Sequence, residues 1–75
     1  MPRENVTPVV AEMVANVMSI EVAVGDTVAV GDTVVLLESM KMEIPVLADV
    51  PGSVRTIKVA AGDVVQEGDV LVELG

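Results

Sequence analysis

Cysteine, histidine and all three aromatic residue types are missing from this 75-residue chain. Without cysteine or histidine, the chain lacks disulfides, thiolate metal sites, and the commonest general base and metal ligand. Basic residues are also scarce, since four stand against twelve acidic residues and the formal net charge is −8. A negative net charge disfavours nucleic acid and anionic membranes as partners. We therefore expect no catalytic residues, no metal site, no nucleic-acid partner and no membrane partner.

Long apolar runs and targeting signals are absent as well. The longest stretch without a charged residue, Met13 to Ile20, has eight residues, whereas a membrane helix needs roughly 20. The N-terminus lacks the basic and then apolar pattern of a secretion signal. Together with the absence of cysteine, these features predict a cytosolic protein.

Valine dominates the residues that are present. Apolar residues make up 52% of the chain, and 19 of them are valine. Because β-branched aliphatic side chains favour strands, we predict an all-β domain with an aliphatic core. A chain of this length buries only about 60% of the surface that its unfolded form exposes, so it forms one domain of modest stability.

The sequence repeats itself after 37 residues. Residues 11–37 align with residues 48–74, and 12 of the 27 pairs are identical. In each copy, short valine-rich segments are separated by Gly-Asp pairs, a pattern typical of strands and tight turns. The Gly-Asp pairs begin at residues 25, 31, 62 and 68. We predict a pseudo-twofold β-sandwich or small barrel in which each copy covers the apolar face of the other.

The four aspartates of these pairs have two interpretations. Recurring carboxylates can bind calcium, although a calcium loop needs more of them in each turn. Glycine adopts positive φ without penalty, and aspartate accepts hydrogen bonds from nearby backbone. Turn chemistry is therefore the stronger interpretation.

Ten residues, 38–47, lie between the two copies, with the sequence Met-Lys-Met near their centre. In a twofold arrangement this segment links the copies, so we predict a hairpin tip with Lys41 in solvent. Two readings of the flanking methionines remain open: a structural accident, or a surface that a partner enzyme contacts. In the second, the Lys41 amine is a nucleophile. The other lysine, Lys58, aligns with Glu21 and is expected on ordinary strand surface.

Residues 38–42, Glu-Ser-Met-Lys-Met, closely resemble the attachment signature Glu-Ala-Met-Lys-Met of biotinyl domains. Ser39 replaces the usual alanine, and both residues are small. The resemblance extends from about Ala11 to Leu74 and includes the Gly-Asp turns. The chain is thus similar to members of the biotinyl/lipoyl-attachment domain family, and in particular to small free-standing biotin carboxyl carrier proteins.

This resemblance implies a fold and a site. The implied fold is a flattened β-barrel or sandwich of two four-stranded antiparallel sheets with pseudo-twofold symmetry. Residues 1–8 would be a loose lead-in, and residues 9–75 a single biotinyl domain. The implied cofactor is biotin, attached covalently to Lys41 by a biotin protein ligase. The residues that the ligase would recognise are Glu38, Ser39, Met40 and Met42.

The resemblance also implies partners. In family members, biotin accepts a carboxyl group at a biotin carboxylase site and delivers it to an acyl-CoA at a carboxyltransferase site. The chain would then be a monomeric carrier that catalyses nothing itself. Two alternatives remain open. One is a lipoyl carrier that uses the same lysine, usually with aspartate rather than methionine before it, and the other is an unmodified structural or interaction barrel.

Overall fold

The computed structural model describes residues 6–75, which form eight β-strands. The strands make two four-stranded antiparallel sheets, in the orders β1-β8-β6-β3 and β5-β4-β2-β7. The predicted fold class is confirmed. In the described range no helix is long and apolar enough to cross a membrane. The strands are β1 (Thr7–Val10), β2 (Ala15–Ile20), β3 (Thr27–Val28), β4 (Thr33–Ser39), β5 (Met42–Leu47), β6 (Gly52–Ile57), β7 (Val64–Val65) and β8 (Val70–Leu74).

The repeat appears in the structure as a pseudo-twofold relation between the sheets. β2, β3 and β4 correspond to β6, β7 and β8, and β1 corresponds to β5. The registers match as well, since Leu37 lies opposite Ile44 in β4–β5 and Leu74 lies opposite Thr7 in β1–β8. Each sheet, however, contains strands from both copies. The copies are therefore intertwined, and the sandwich is not one copy laid over the other as the repeat alone suggested.

Backbone hydrogen bonds at the Gly-Asp turns join the two copies. The Gly25 N–H donates to the Val54 carbonyl, and the Val54 N–H donates to the Asp26 carbonyl, each at 2.8 Å. Each Gly-Asp turn of one copy is hydrogen-bonded to a residue of the other copy, and these bonds account for the intertwining. The same exchange of two bonds recurs between Gly62, Asp63 and Val17, between Gly31, Asp32 and Ala48, and between Gly68, Asp69 and Ala11.

The Gly-Asp pairs act as turns, as predicted. Their glycines have φ between 92° and 97°, in a region where a side chain would be strained. The Asp26 carboxylate accepts a hydrogen bond from the Ala23 N–H at 2.9 Å. The carboxylates of the other three aspartates likewise each accept a hydrogen bond from the backbone N–H three residues earlier in the chain.

We expect Asp26→Ala to lower the free energy of unfolding by about 1 kcal/mol, because the Ala23 amide loses its acceptor. Asp26→Asn keeps an acceptor oxygen at the same place and is the matched control, with a smaller expected loss. Urea denaturation followed by far-UV circular dichroism measures both. Equal losses in the two variants would show that this hydrogen bond does not stabilise the turn.

The core between the sheets is entirely apolar in the described residues. Fourteen aliphatic side chains are buried, and no polar side chain is. The largest fully buried residues are Leu37, Leu71 and Leu74. Buried and exposed side chains alternate at the start of β2, whereas β4 and β8 each bury two consecutive residues, Val34–Val35 and Leu71–Val72, where the strand register shifts.

The free edges of the sheets are short or interrupted. β3 and β7 have two residues each, so they offer little backbone for further pairing. The other two edge strands, β1 and β5, carry Pro8 and Pro45 at equivalent positions. Proline lacks an N–H, which disfavours edge-to-edge association with a second chain.

The first described strand begins at Thr7, two residues ahead of the expected domain boundary at residue 9. Thr7 lies opposite Leu74 and Pro8 lies opposite Glu73, so both residues belong to the sheet. The first five residues of the expected lead-in lie outside the described residues.

Candidate functional site

The segment between the two copies forms a hairpin of β4 and β5. All other consecutive strands in the described range lie in different sheets. The β4–β5 connection is therefore the only one there that reverses within a sheet, and it closes in two residues, Met40 and Lys41. The predicted hairpin tip is confirmed.

The turn has an uncommon backbone conformation. Met40 has a φ of 54° and Lys41 a φ of 65°, and they are the only non-glycine residues with positive φ in the described part of the chain. Positive φ at both central residues is what a type I′ hairpin turn requires. Asparagine and glycine usually fill these places, and other residues are strained there by about 1 kcal/mol each.

The double variant Met40→Asn/Lys41→Gly is expected to raise the free energy of unfolding by about 1 kcal/mol, because Asn-Gly relieves this strain. Lys41→Arg retains the strain and is the control, with no expected change. Thermal and urea denaturation measure both variants. If the double variant is no more stable than the parent, the positive φ angles of the turn do not lower the free energy of unfolding.

The five residues of the predicted signature all lie on this hairpin. Met40 is 90% exposed and Met42 is 63% exposed. Lys41 and Glu38 are exposed, and Ser39 is half-buried at the end of β4. Both methionines therefore lie outside the core, and the predicted position of Lys41 in solvent is confirmed.

Two carboxylates face each other just below the turn. Ser39 lies opposite Met42 in the residue pair next to the turn, and Glu38 lies opposite Glu43 in the second pair. Like charges directly opposite each other destabilise an antiparallel pair. Both glutamates are exposed, so the β4–β5 hairpin presents a negative surface beside Lys41.

The two lysines differ in their surroundings. The Nζ atom of Lys58 lies 4.0 Å from a carboxylate oxygen of Glu73, and its side chain is 49% exposed. Lys41 forms no ion pair with any residue between 6 and 75. Lys58 is on the surface, as predicted, but it follows β6 and does not lie within a strand. The Lys41 amine is accessible to a partner.

Comparison with known proteins identifies the family. The biotin–lipoyl family profile, described as "Biotin-requiring enzyme", matches residues 5–74. The chain belongs to this family. No curated protein sequence matches the chain significantly.

Solved structures of related proteins share the fold. The crystal structure of Kluyveromyces lactis urea carboxylase matches all of this chain with a TM-score of 0.91 and 31% identity. A single-chain, multi-domain long-chain acyl-CoA carboxylase matches 99% of it with a TM-score of 0.86 and 25% identity. The chain spans 7% of the length of each of these two proteins.

A lipoyl domain is also similar. The solution structure of the lipoyl domain of the 2-oxoglutarate dehydrogenase complex from Azotobacter vinelandii has a TM-score of 0.70 and 27% identity. The match covers 83% of this chain and 78% of that domain. The chain is therefore similar both to parts of two carboxylases and to a lipoyl domain.

The hairpin fits a covalently attached biotin or lipoate. Acylation of a lysine needs an amine that a ligase can reach. Lys41 meets this condition, because it is exposed at a two-residue turn and has no ion-pair partner among the described residues. Lys58 is also exposed, but it follows β6 and does not lie at the tip of a hairpin.

Proposed function

We propose that this chain is a biotin carrier without catalytic activity of its own, and that biotin is joined to Lys41 by an amide bond. The observation that carries this proposal is the position of Lys41. It occupies an exposed turn between two exposed methionines, on the one described hairpin that closes within a sheet. Such a position lets a ligase reach the amine without disturbing the core.

Two observations support biotin over lipoate. The structural likeness is greater to the two carboxylases, with TM-scores of 0.91 and 0.86, than to the lipoyl domain, with 0.70. The residue before Lys41 is methionine, where the resemblance described above implies aspartate for a lipoyl carrier. Ligases that act on the same fold must distinguish local surface, and this residue is 90% exposed.

The attachment chemistry assigns a limited part to this chain. An ordinary lysine amine is almost wholly protonated at neutral pH, so it must lose a proton before it can attack an activated acyl group. The chain contains no histidine, and we propose that the ligase supplies both the base and the activated biotin. Amide formation removes the lysine charge and changes the formal net charge from −8 to −9.

We further propose that the partners of the loaded carrier are a biotin carboxylase and a carboxyltransferase. The attached group accepts and donates a carboxyl group when bound, and the role of this chain is to hold it on a long arm. Tethering makes each encounter intramolecular, with an effective concentration set by the reach of the arm. The negative hairpin surface formed by Glu38 and Glu43 favours partner sites that are basic.

The double variant Met40→Asp/Met42→Ala tests the proposed recognition. We expect its rate of biotin incorporation to fall about tenfold, which corresponds to about 1.4 kcal/mol, because the ligase loses two apolar contacts. Met18→Ala, a change at a methionine 38% exposed on β2, is the control and should leave the rate unchanged. The rates are measured by mass spectrometry with purified biotin ligase, ATP and biotin.

The same proteins incubated with a lipoate ligase separate the two carrier functions. The parent chain should accept biotin and not lipoate. If the parent chain takes up lipoate and not biotin, it is a lipoyl carrier. An unchanged biotinylation rate in the double variant would show that the methionines are not what the ligase recognises.

A further inference from the structure

A groove of about 350 Å³ lies between the edge strands β1 and β5, below the tip of the β4–β5 hairpin. These strands belong to different sheets, so the groove follows the open seam between the sheets. Eight of its eleven lining residues form four pseudo-twofold pairs, among them Val9 with Val46 and Glu12 with Asp49. The groove therefore lies across the pseudo-twofold axis.

The groove is not symmetric about that axis. Three lining residues have no twofold partner in the lining: Met13, Leu37 and Ile44. Leu37 and Ile44 form the third residue pair below the Lys41 turn. Met13 lies two residues before β2, whose second residue, Asn16, pairs with Glu38 of the same hairpin. The groove thus extends toward Lys41 and not toward the equivalent opposite end.

We propose that this groove is a docking site for the ring of the biotin carried on Lys41, an inference that rests on the function proposed above. Ile44 lies three residues from Lys41 along the strand, a distance of roughly 10 Å at about 3.3 Å per residue. The arm from the Lys41 Cα to the biotin ring has about eleven bonds and reaches roughly 14 Å. The ring can therefore reach the near end of the groove without any change in the hairpin.

The lining suits the two faces of this ring. Its sulfur-containing half is apolar, and aliphatic side chains such as Leu37, Ile44 and Val46 offer it an apolar floor. Its ureido half has two N–H donors, and the exposed carboxylate of Glu12, which precedes Met13 in the chain, is an acceptor at the rim. Met13 is 39% exposed, and its flexible thioether can adapt to the ring.

Tethering makes weak docking sufficient. A group on a short flexible arm has an effective concentration in the millimolar range. A groove with a millimolar dissociation constant would then hold the ring in about half of the molecules. Docking would then lower the fraction of free ring available to partner enzymes by only about twofold. The docked ring would be shielded between encounters.

Methyl NMR tests this docking, because the chain has three isoleucines and only one of them lines the groove. Complete modification of Lys41 is first established by intact mass. We then expect the methyl resonances of Ile44 and Met13 to shift between the unmodified and biotinylated chain. Those of Ile20, Ile57 and Met18 should not shift.

Two neighbouring variants provide the matched comparison. Met13→Glu places a charge at the groove and should reduce the biotin-dependent shift of Ile44 at least twofold. Val14→Glu alters the next residue, which is 63% exposed and does not line the groove, and should leave that shift unchanged. Full biotinylation without any shift at Ile44 would overturn the docking and leave the carrier function intact, whereas a chain that takes up no biotin would overturn both.

Discussion

Lys41→Arg is expected to abolish biotin incorporation and to leave the fold unchanged. Arginine keeps a positive charge at the exposed turn, so the hairpin and its surface remain. Its guanidinium stays protonated at any accessible pH and cannot act as the nucleophile. Intact mass after incubation with ligase, ATP and biotin should show one biotin on the parent chain and none on the variant.

Lys58→Arg is the matched control for this loss. Lys58 is the only other lysine of the chain, and its contact with Glu73 is one that arginine can also make. The control should therefore be biotinylated like the parent. Labelling that persists in Lys41→Arg, on Lys58 for instance, would refute the assignment of the attachment residue.

Val35→Asp should unfold the domain. Val35 is 0% exposed in β4, and the surrounding core offers no polar partner for a carboxylate. An unpaired buried charge costs several kcal/mol, whereas a domain of this length has a total stability of roughly 4–11 kcal/mol. Val72→Asp should have the same effect, because Val72 is the pseudo-twofold equivalent and is also 0% exposed.

Val30→Asp is the control for these two variants. Val30 is 64% exposed, and its equivalent in the second copy is Glu67, so a carboxylate is already present at that turn position. Its free energy of unfolding should change by less than about 0.5 kcal/mol. Circular dichroism and limited proteolysis compare the three variants. A Val35→Asp chain that melts like Val30→Asp would contradict the assignment of the core.

The 37-residue repeat is the reason that much of the fold could be predicted from the sequence. Matching valines and Gly-Asp pairs indicate short strands and tight turns in both copies, and the structure has them. The hairpin around Lys41 was predictable for a different reason. It lies between the two aligned copies, so in a twofold arrangement it is the segment that links them.

Other features depend on tertiary structure that no sequence pattern specifies. The intertwining of the copies follows from hydrogen bonds between residues far apart in the chain, such as Gly25 and Val54. The type I′ turn was not predictable, because Met40 and Lys41 are not turn-forming residues. The groove forms only where β1 and β5, from different sheets, meet across the pseudo-twofold axis.

The central claim is that Lys41 carries biotin, and the intact mass of the protein from a host with its own biotin ligase tests it most directly. We predict an increase of about 226 Da, which peptide mapping places on Lys41. An increase of about 188 Da would instead indicate a lipoyl group. An unmodified mass despite abundant ligase and biotin would contradict the carrier function and favour an unmodified barrel.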